Sequence, residues 1–163
     1  MNFDSWLLLL LTLRANNATI RVRYWRTLKT KGCVALRDGV YLLPANTQTE
    51  SALRELAHEI MEGGGVVHLL RAQHFDAEQE IELRSMFNRS EEFAEFVRSL
   101  PKFKETLFSK TPREISSLLR RLQKKLDDII YIDFFPNEAS TKAIATWKDF
   151  VLFAKNVIYS SES

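Results

Sequence analysis

The sequence TIRVRYWR at Thr19–Arg26, followed by LRDGVYLLP at Leu36–Pro44, decides the fold class. The first stretch has the pattern of a basic amphipathic helix. The second is a β segment that turns at Asp38-Gly39, a common hairpin step. An apolar run at residues 6–13 precedes both. Because that run is continuously apolar rather than alternating, it predicts a central strand buried on both faces.

The neighbouring segments complete one α+β unit. The predicted strands cover residues 6–13, 33–37, 39–43 and 66–71, and the predicted helices cover residues 18–31 and 47–61. Asn17 is placed to cap the first helix and Gly32 to end it. Thr47 begins the second helix with capping-box spacing, and Gly63–Gly65 stops it. The β-α-β-β-α-β order is the ferredoxin-like arrangement, which we predict for residues 1–75.

After about residue 75 the pattern becomes helical. Asp76 and Ser90 are placed to begin helices, and Thr111-Pro112-Arg113-Glu114 is a strong start signal for another that ends near Tyr131. Pro136 interrupts the chain before a last helix over residues 138–158. We therefore predict that residues 76–163 form a helical extension packed on the first domain.

Bulk composition is that of a globular protein. The chain has 163 residues, 45% hydrophobic and 27% charged, with a net charge of +2. Residues 1–75 carry nine Lys/Arg against six Asp/Glu, residues 76–99 three against seven, and residues 100–163 eleven against eight. The apolar run at the N-terminus is far shorter than the roughly 20 residues of a membrane span. Asp4 before it and Arg14 after it do not fit a signal peptide, so we expect a cytoplasmic protein.

The residue pattern gives no metal site, no cofactor site and no catalytic constellation. A single cysteine, Cys33, excludes an internal disulfide and predicts a small buried side chain. His58, His68 and His74 lack the spacing of a zinc helix motif, and a pairing of His68 with His74 at one end of the sheet stays open as an alternative. Gly63–Gly65 follows a helix, whereas phosphate-binding loops precede one.

Two groups of cations are candidates for phosphate contact. The first is Arg21, Arg23, Arg26 and Lys29 on the first helix, and the second is Arg120, Arg121, Lys124 and Lys125 on the Thr111 helix. For the first group, DNA contact stands beside two alternatives, a solvated face and pairing with the acidic segment 76–99. For the second group, a solvated face is the favoured interpretation.

Three phrases carry a family resemblance: Arg21-x-Arg23-x-Trp25-Arg26-x-Leu28-Lys29, the segment Leu36–Pro44, and Ile132-Asp133-Phe134-Phe135-Pro136-x-Glu138-Ala139. Together they resemble the N-terminal domain of the chromate-resistance protein family ChrB, from Trp6 to about Ala145. The resemblance implies a transcriptional regulator of a chromate-efflux operon, hence DNA binding and control by an oxyanion. Family members often carry a further C-terminal domain thought to sense chromate, and this chain ends at Ser163. The expectation is therefore either a stand-alone N-terminal protein or part of a longer one, and the resemblance does not extend chromate sensing to this chain.

Residues 1–75 also resemble, more distantly, the CRISPR-associated endoribonuclease of the adaptation complex and a domain of phenylacetate-pathway repressors. Those proteins dimerise through ferredoxin-like sheets, which implies a homodimer here. The nuclease family places an Asp at the end of its first strand. This chain reads Leu11-Thr12-Leu13 there, so we predict that it is not a nuclease and not an enzyme.

The sequence thus favours a cytoplasmic, dimeric DNA-binding regulator, or its DNA-binding domain, with DNA and a separate sensing domain as partners. A protein-interaction module with no DNA role is the alternative, and its partner could be that sensing domain. An oxyanion-binding or reducing enzyme is the weakest of the three, because no redox cofactor motif is present.

Overall fold

A computed structural model describes residues 5–13 and 18–161. The predicted cap Asn17 therefore lies outside the described residues. The chain divides into two compact units, Met1–Phe87 and Asn88–Ser163. The first unit extends beyond residue 75 and includes the helix that follows Asp76.

The first unit is an antiparallel sheet with helices. Its elements are β1 (Trp6–Thr12), α1 (Ala18–Thr30), β2 (Val34–Arg37), β3 (Val40–Pro44), α2 (Thr47–Glu62), β4 (Val66–Ala72) and α3 (Ala77–Ser85). The four strands lie in the order β2-β3-β1-β4, and every neighbouring pair is antiparallel. The predicted succession of strands and helices and the α+β class are confirmed.

The two faces of β1 are not equally buried. Leu7 pairs with Leu43 and Leu9 with Tyr41, so these side chains share one face, and all four are buried. The other face carries Trp6, which is 2% exposed, and Leu8, which is only half-buried. The prediction of burial on both faces is therefore confirmed at the Trp6 end of the strand and wrong from Leu8 onward. A continuous leucine run fits a one-sided sheet as well as a two-sided one, so the run alone does not distinguish them.

Helix α2 is capped one residue earlier than predicted. Asn46 has extended backbone, and its side-chain Oδ1 accepts a 2.8 Å hydrogen bond from the Thr49 N–H. The Thr49 hydroxyl accepts from the Asn46 N–H at 3.0 Å and donates to the Pro44 carbonyl at 2.7 Å. Thr47 is consequently the first helical residue rather than the cap. The capping box uses Asn at the cap and Thr at the third position, a pair that satisfies the same two backbone donors as the Ser/Thr and Glu pair.

Gly32 and Gly39 have positive φ angles that other residues rarely adopt. Gly32 ends α1 with φ 83°, as predicted. Gly39 has φ 75° in the β2–β3 turn, and its carbonyl accepts a 2.7 Å hydrogen bond from the Leu11 N–H. A Cβ at position 39 would lie 2.7 Å from the Leu11 carbonyl oxygen. The end of β1 is therefore fixed against the hairpin turn.

The second unit is helical. It contains α4 (Ser90–Thr106), a 3-10 turn (Leu107–Ser109), α5 (Pro112–Tyr131) and α6 (Glu138–Ser161). The predicted capping box at Thr111 and Glu114 is confirmed. One apolar cluster from all three helices forms the core, and Trp147 stacks on Phe150 within it at a ring distance of 5.6 Å. The Trp147 indole N–H donates to Gln123 at 2.6 Å, so its polar atom is satisfied.

Candidate nucleic-acid interface

The outer side of α1 carries two cations with no ion pair in the part of the chain that the structure describes. Tyr24 and Leu28, one turn apart, are buried and fix the inner side of this helix. Arg26 and Lys29 are exposed and lie three positions apart, so they are neighbours on the outer side. We call this pair the α1 ridge. Its charges are open to solvent and to an anionic ligand.

The other two predicted cations of α1 are held by acidic side chains of the same unit. Arg23 donates to Glu59 of α2 at 2.9 Å, and Arg21 lies 3.8 Å from Asp38 of the hairpin. Both partners, Asp38 and Glu59, lie outside the acidic segment 76–99 that the sequence offered as an alternative. The acidic side chains of that segment that form ion pairs do so locally: Glu80 with His74 and Arg84, Glu91 with Arg98, and Glu92 with Arg89. The four α1 cations consequently differ in availability.

A groove lies between α1 and the β2–β3 hairpin, with a volume of about 320 Å³. It is lined by Arg21, Val22, Trp25, Ala35, Arg37, Asp38 and Tyr41. Trp25 packs on Tyr41 with ring centres 5.7 Å apart. Burial raises the pKa of Tyr41, and the nearby Asp38 carboxylate raises it further, so its hydroxyl stays protonated at neutral pH.

Arg37 is the groove cation that sequence reasoning missed. It is exposed at the end of β2, where the pairing register with β3 shifts between Ala35 and Arg37. That irregularity cannot be read from strand periodicity. The Asp-Gly step directly after Arg37 was the available signal, because a hairpin turn brings the end of one strand beside the start of the next.

A second cavity, of about 190 Å³, lies on the other side of Arg21 at the end of β1. Leu11, Thr12 and Gly39 line it, together with Arg21 and Asp38. Asp38 thus supplies a carboxylate beside the end of β1 that the strand itself lacks, and Arg21 is its neighbour. One carboxylate beside a guanidinium does not form a divalent-metal centre.

The second predicted group lies on the exposed side of α5, opposite the buried stripe Ile115, Leu118, Leu122, Leu126 and Ile129. Lys124 pairs with Asp128 one turn later, at 2.8 Å. Arg120, Arg121 and Lys125 form no ion pair among the described residues. These cations belong to the second unit, whereas the α1 ridge and the groove belong to the first.

The described ranges offer little support for a metal site or for a nucleophilic cysteine. No cluster of three or more His, Cys, Asp or Glu side chains that could hold a metal ion occurs there. Cys33 is buried as predicted, and burial raises the pKa of its thiol to about 12, which makes it unreactive. His58 and His74 each lie beside a glutamate, Glu62 and Glu80.

The α1 ridge, the hairpin groove and α5 all fall within a region that matches a known protein family. A family model described as "Protein ChrB, N-terminal" matches residues 21–150. The chain belongs to the ChrB N-terminal family. The match contains all eight predicted DNA-contacting cations and Arg37. It ends within α6.

A curated ChrB relative agrees with the family assignment. Protein ChrB of Cupriavidus metallidurans (strain CH34) is 40% identical over 146 residues, which is 90% of this chain and 45% of the relative. The chain therefore spans less than half the length of this relative. Within the described ranges, no helix is long and apolar enough to cross a membrane.

Proposed function

We propose that this chain is the DNA-binding and dimerisation part of a cytoplasmic transcriptional regulator in a chromate-resistance system. Membership of the ChrB N-terminal family supports the link to chromate resistance. The proposal includes no catalytic step. A separate domain, of the kind expected from the length of the relative, would sense chromate.

The observation that carries the DNA-binding role is the α1 ridge. Arg26 and Lys29 are exposed, adjacent and without ion pairs in the described ranges, so a phosphate could bind them without displacing an acidic side chain. Arg21 and Arg23 flank the ridge and would act as secondary contacts, because each must first leave a carboxylate. Arg120, Arg121, Lys124 and Lys125 on α5 would form a second contact surface. Neutralised phosphates release counterions, so the logarithm of the affinity should fall linearly with the logarithm of the salt concentration.

A ferredoxin-like fold and a homodimer belong to the same proposal. The β-α-β-β-α-β succession and the strand order β2-β3-β1-β4 support the fold. Leu8 and Leu70 are register partners on the face opposite Leu7 and Leu9, and Leu70 is 50% exposed. We propose that a second copy covers this face. Sedimentation equilibrium of the chain and of Leu70→Lys tests this, since a charge there should shift the chain to monomer.

The DNA-binding proposal is tested by fluorescence anisotropy. The chain is titrated against its own upstream DNA and against scrambled DNA, over a salt series, with and without chromate. Specific binding released by chromate would make the chain a self-sufficient sensor, and specific binding indifferent to chromate would place sensing in another domain. Equal, salt-sensitive binding to both duplexes would reduce the site to a basic face. No binding at low salt would overturn the proposal.

One observation favours the alternative of a protein-interaction module. An apolar groove of about 540 Å³ runs between α5 and α6, and Ile130, Trp147, Val151 and Leu152 line it. Leu152 is 62% exposed. If DNA binding fails while Leu152→Glu abolishes binding to a ChrB C-terminal domain supplied as a separate chain, this module is the better description. Asn156→Glu, at another exposed position of α6, adds the same single negative charge and is the matched control.

A further inference from the structure

The groove between α1 and the hairpin has an aromatic floor and a charged rim, a combination that the α1 ridge lacks. We propose that this groove binds one nucleotide, with the base against Trp25 and the phosphate between Arg21 and Arg37. Its volume of about 320 Å³ lies at the lower end of ligand pockets, which span roughly 300–1,000 Å³.

The floor suits a flat heteroaromatic ring. Tyr41 is buried and holds Trp25 in place, with the two rings tilted by 31°. Trp25 is only half-buried, so part of its indole faces the groove. Val22 and Ala35 flank it with small aliphatic side chains. A base stacked on such a ring gains binding energy whatever its sequence identity, because every base has a π face.

The rim suits a phosphate attached to that ring. Arg37 is exposed and forms no ion pair within the described part of the chain. Arg21 pairs with Asp38 at 3.8 Å, and the two side chains are 57% and 88% exposed. An ion pair that long and that exposed contributes little, so Arg21 can turn to a phosphate with small loss.

Asp38 sets the class of ligand. A carboxylate 3.8 Å from Arg21 and next to Arg37 in the chain disfavours a bare inorganic oxyanion, because it repels that anion. It favours a ligand that also offers N–H donors, as the exocyclic amino groups of adenine, guanine and cytosine do. The complete polar rim, Arg21, Arg37 and Asp38, therefore matches a nucleotide better than phosphate alone.

The nucleotide could be free or could be an unpaired residue of a DNA strand. The second source deepens the proposed DNA-binding function and rests on it, whereas the first does not. The chemistry of the site is the same in both, namely a stacked base with a phosphate at the rim. The test therefore carries a separate arm for each source.

Intrinsic tryptophan emission follows binding at this groove. Trp6 and Trp147 are 2% and 5% exposed, so quenching by a soluble ligand reports mainly on Trp25. The full chain is titrated with deoxyadenosine monophosphate, a short oligodeoxyadenylate, deoxyadenosine and inorganic phosphate, with excitation at the red edge of the tryptophan band. We expect saturable quenching by deoxyadenosine monophosphate and by the oligodeoxyadenylate. Deoxyadenosine lacks the phosphate and inorganic phosphate lacks the base, so each should bind at least about fivefold more weakly.

Arg37→Gln is the decisive variant, because Arg37 is exposed and its loss should leave the fold intact. We expect it to weaken nucleotide binding at least about fivefold, the size of a charge-assisted phosphate contact. Arg54→Gln, an exposed arginine of α2 paired with Glu50, is the matched control and should leave binding unchanged. Circular dichroism checks that both variants fold.

Each outcome is decisive. No saturable quenching at millimolar nucleotide, or equal effects of Arg37→Gln and Arg54→Gln, overturns the nucleotide site. Oligonucleotide binding tenfold tighter than mononucleotide binding assigns the site to strand DNA, and equal affinities assign it to a free nucleotide. Duplex binding without quenching by nucleotide would overturn the nucleotide site and leave the proposed DNA-binding function standing. Quenching by nucleotide without duplex binding would overturn the proposed DNA-binding function and leave the nucleotide site standing.

Discussion

Arg23 of α1 donates a 2.9 Å hydrogen bond to Glu59 of α2, whereas Arg26, three residues later, has no acidic partner in the described ranges. Both members of the pair are more than half exposed, at 69% and 52%. Such a surface pair contributes about 0–1 kcal/mol to folding. Its main effect is to occupy Arg23, so cations of similar sequence context differ in their availability to an anionic ligand.

We therefore expect Arg26→Ala with Lys29→Ala to weaken duplex binding more than Arg23→Ala does. If each ridge cation neutralises one phosphate, the slope of log affinity against log salt should fall by about 1.8, since each contact contributes roughly 0.9. Anisotropy titrations over a salt series measure both quantities. Arg54→Ala with Arg98→Ala removes two exposed, ion-paired cations elsewhere and should leave the slope unchanged. An unchanged slope in the ridge variant would contradict the assignment.

Asn46→Ala should destabilise the first unit by about 1 kcal/mol, the usual loss when a helix cap is truncated. Thr47→Ala should be close to neutral, because Thr47 is exposed and Asn46 already satisfies the cap donors. Urea unfolding followed by circular dichroism compares the two variants. A larger loss of stability in Thr47→Ala than in Asn46→Ala would show that Thr47 is the cap, as the sequence predicted.

Gly39→Ala should destabilise the chain more than Gly64→Ala, although both glycines have positive φ. A Cβ at Gly64 meets no atom within 4 Å, so that variant bears only backbone strain of about 1 kcal/mol. A Cβ at Gly39 would also clash with the Leu11 carbonyl, 2.7 Å away. Chemical denaturation of both variants measures the difference. Equal losses would mean that the hairpin turn relaxes away from β1.

Asp133 should make the folded state less stable as pH rises. Burial raises the pKa of Asp133, opposed by a hydrogen bond from Ser140 and by the charge of Arg89. Between the unfolded pKa, about 3.9, and the higher folded pKa, the folded state binds more protons, so the free energy of unfolding falls as pH rises. Asp133→Asn removes this dependence and should gain stability relative to wild type across that window.

Glu114 provides the control of opposite sign. Hydrogen bonds from the Thr111 backbone and hydroxyl lower the pKa of Glu114, so its stabilisation is lost as pH falls through that lowered pKa. Glu114→Gln should therefore lose stability relative to wild type as pH rises. Denaturant unfolding across the acidic range measures both variants. A stability difference between Asp133→Asn and wild type that does not change with pH would contradict the account of Asp133.

Cys33 should be inert toward thiol reagents in the folded chain. Its pKa of about 12 and its burial both keep the thiolate population small. Labelling with a chromogenic disulfide at mildly alkaline pH should proceed only as fast as the first unit opens, and at once in denaturant. Rapid labelling of the native chain would show that the junction of α1 and β2 is open.

Local rules predicted the succession of elements well because the signals are strong and short-range. Gly32, Thr111 and the Asp38-Gly39 step each specify a boundary by backbone geometry or capping. The cap of α2 was placed wrongly because Asn46 and Thr47 are both good caps. With Asn46 as the cap, the Thr49 hydroxyl completes the capping box and also donates to the Pro44 carbonyl. The contact with Pro44 forms only when β3 and α2 fold together.

The candidate site was less predictable because it depends on contacts between distant segments. Arg21 and Arg23 look alike in the sequence, yet one lies beside Asp38 and the other beside Glu59. Arg37 was missed because it lies on an irregular strand end rather than in a cationic cluster. Helical periodicity locates cations on a face, but tertiary pairing decides which of them remain available.

The two edges of the sheet differ in a way that bears on self-association. Strand β2 has four residues and a register irregularity before the turn, features by which proteins blunt an edge against further pairing. Strand β4 has seven residues, pairs with β1 without a break and exposes Leu70. The β4 edge is thus the one where another strand can be added. In a concentrated sample this edge is where edge-to-edge aggregation should start, and a lysine introduced along β4 should suppress it.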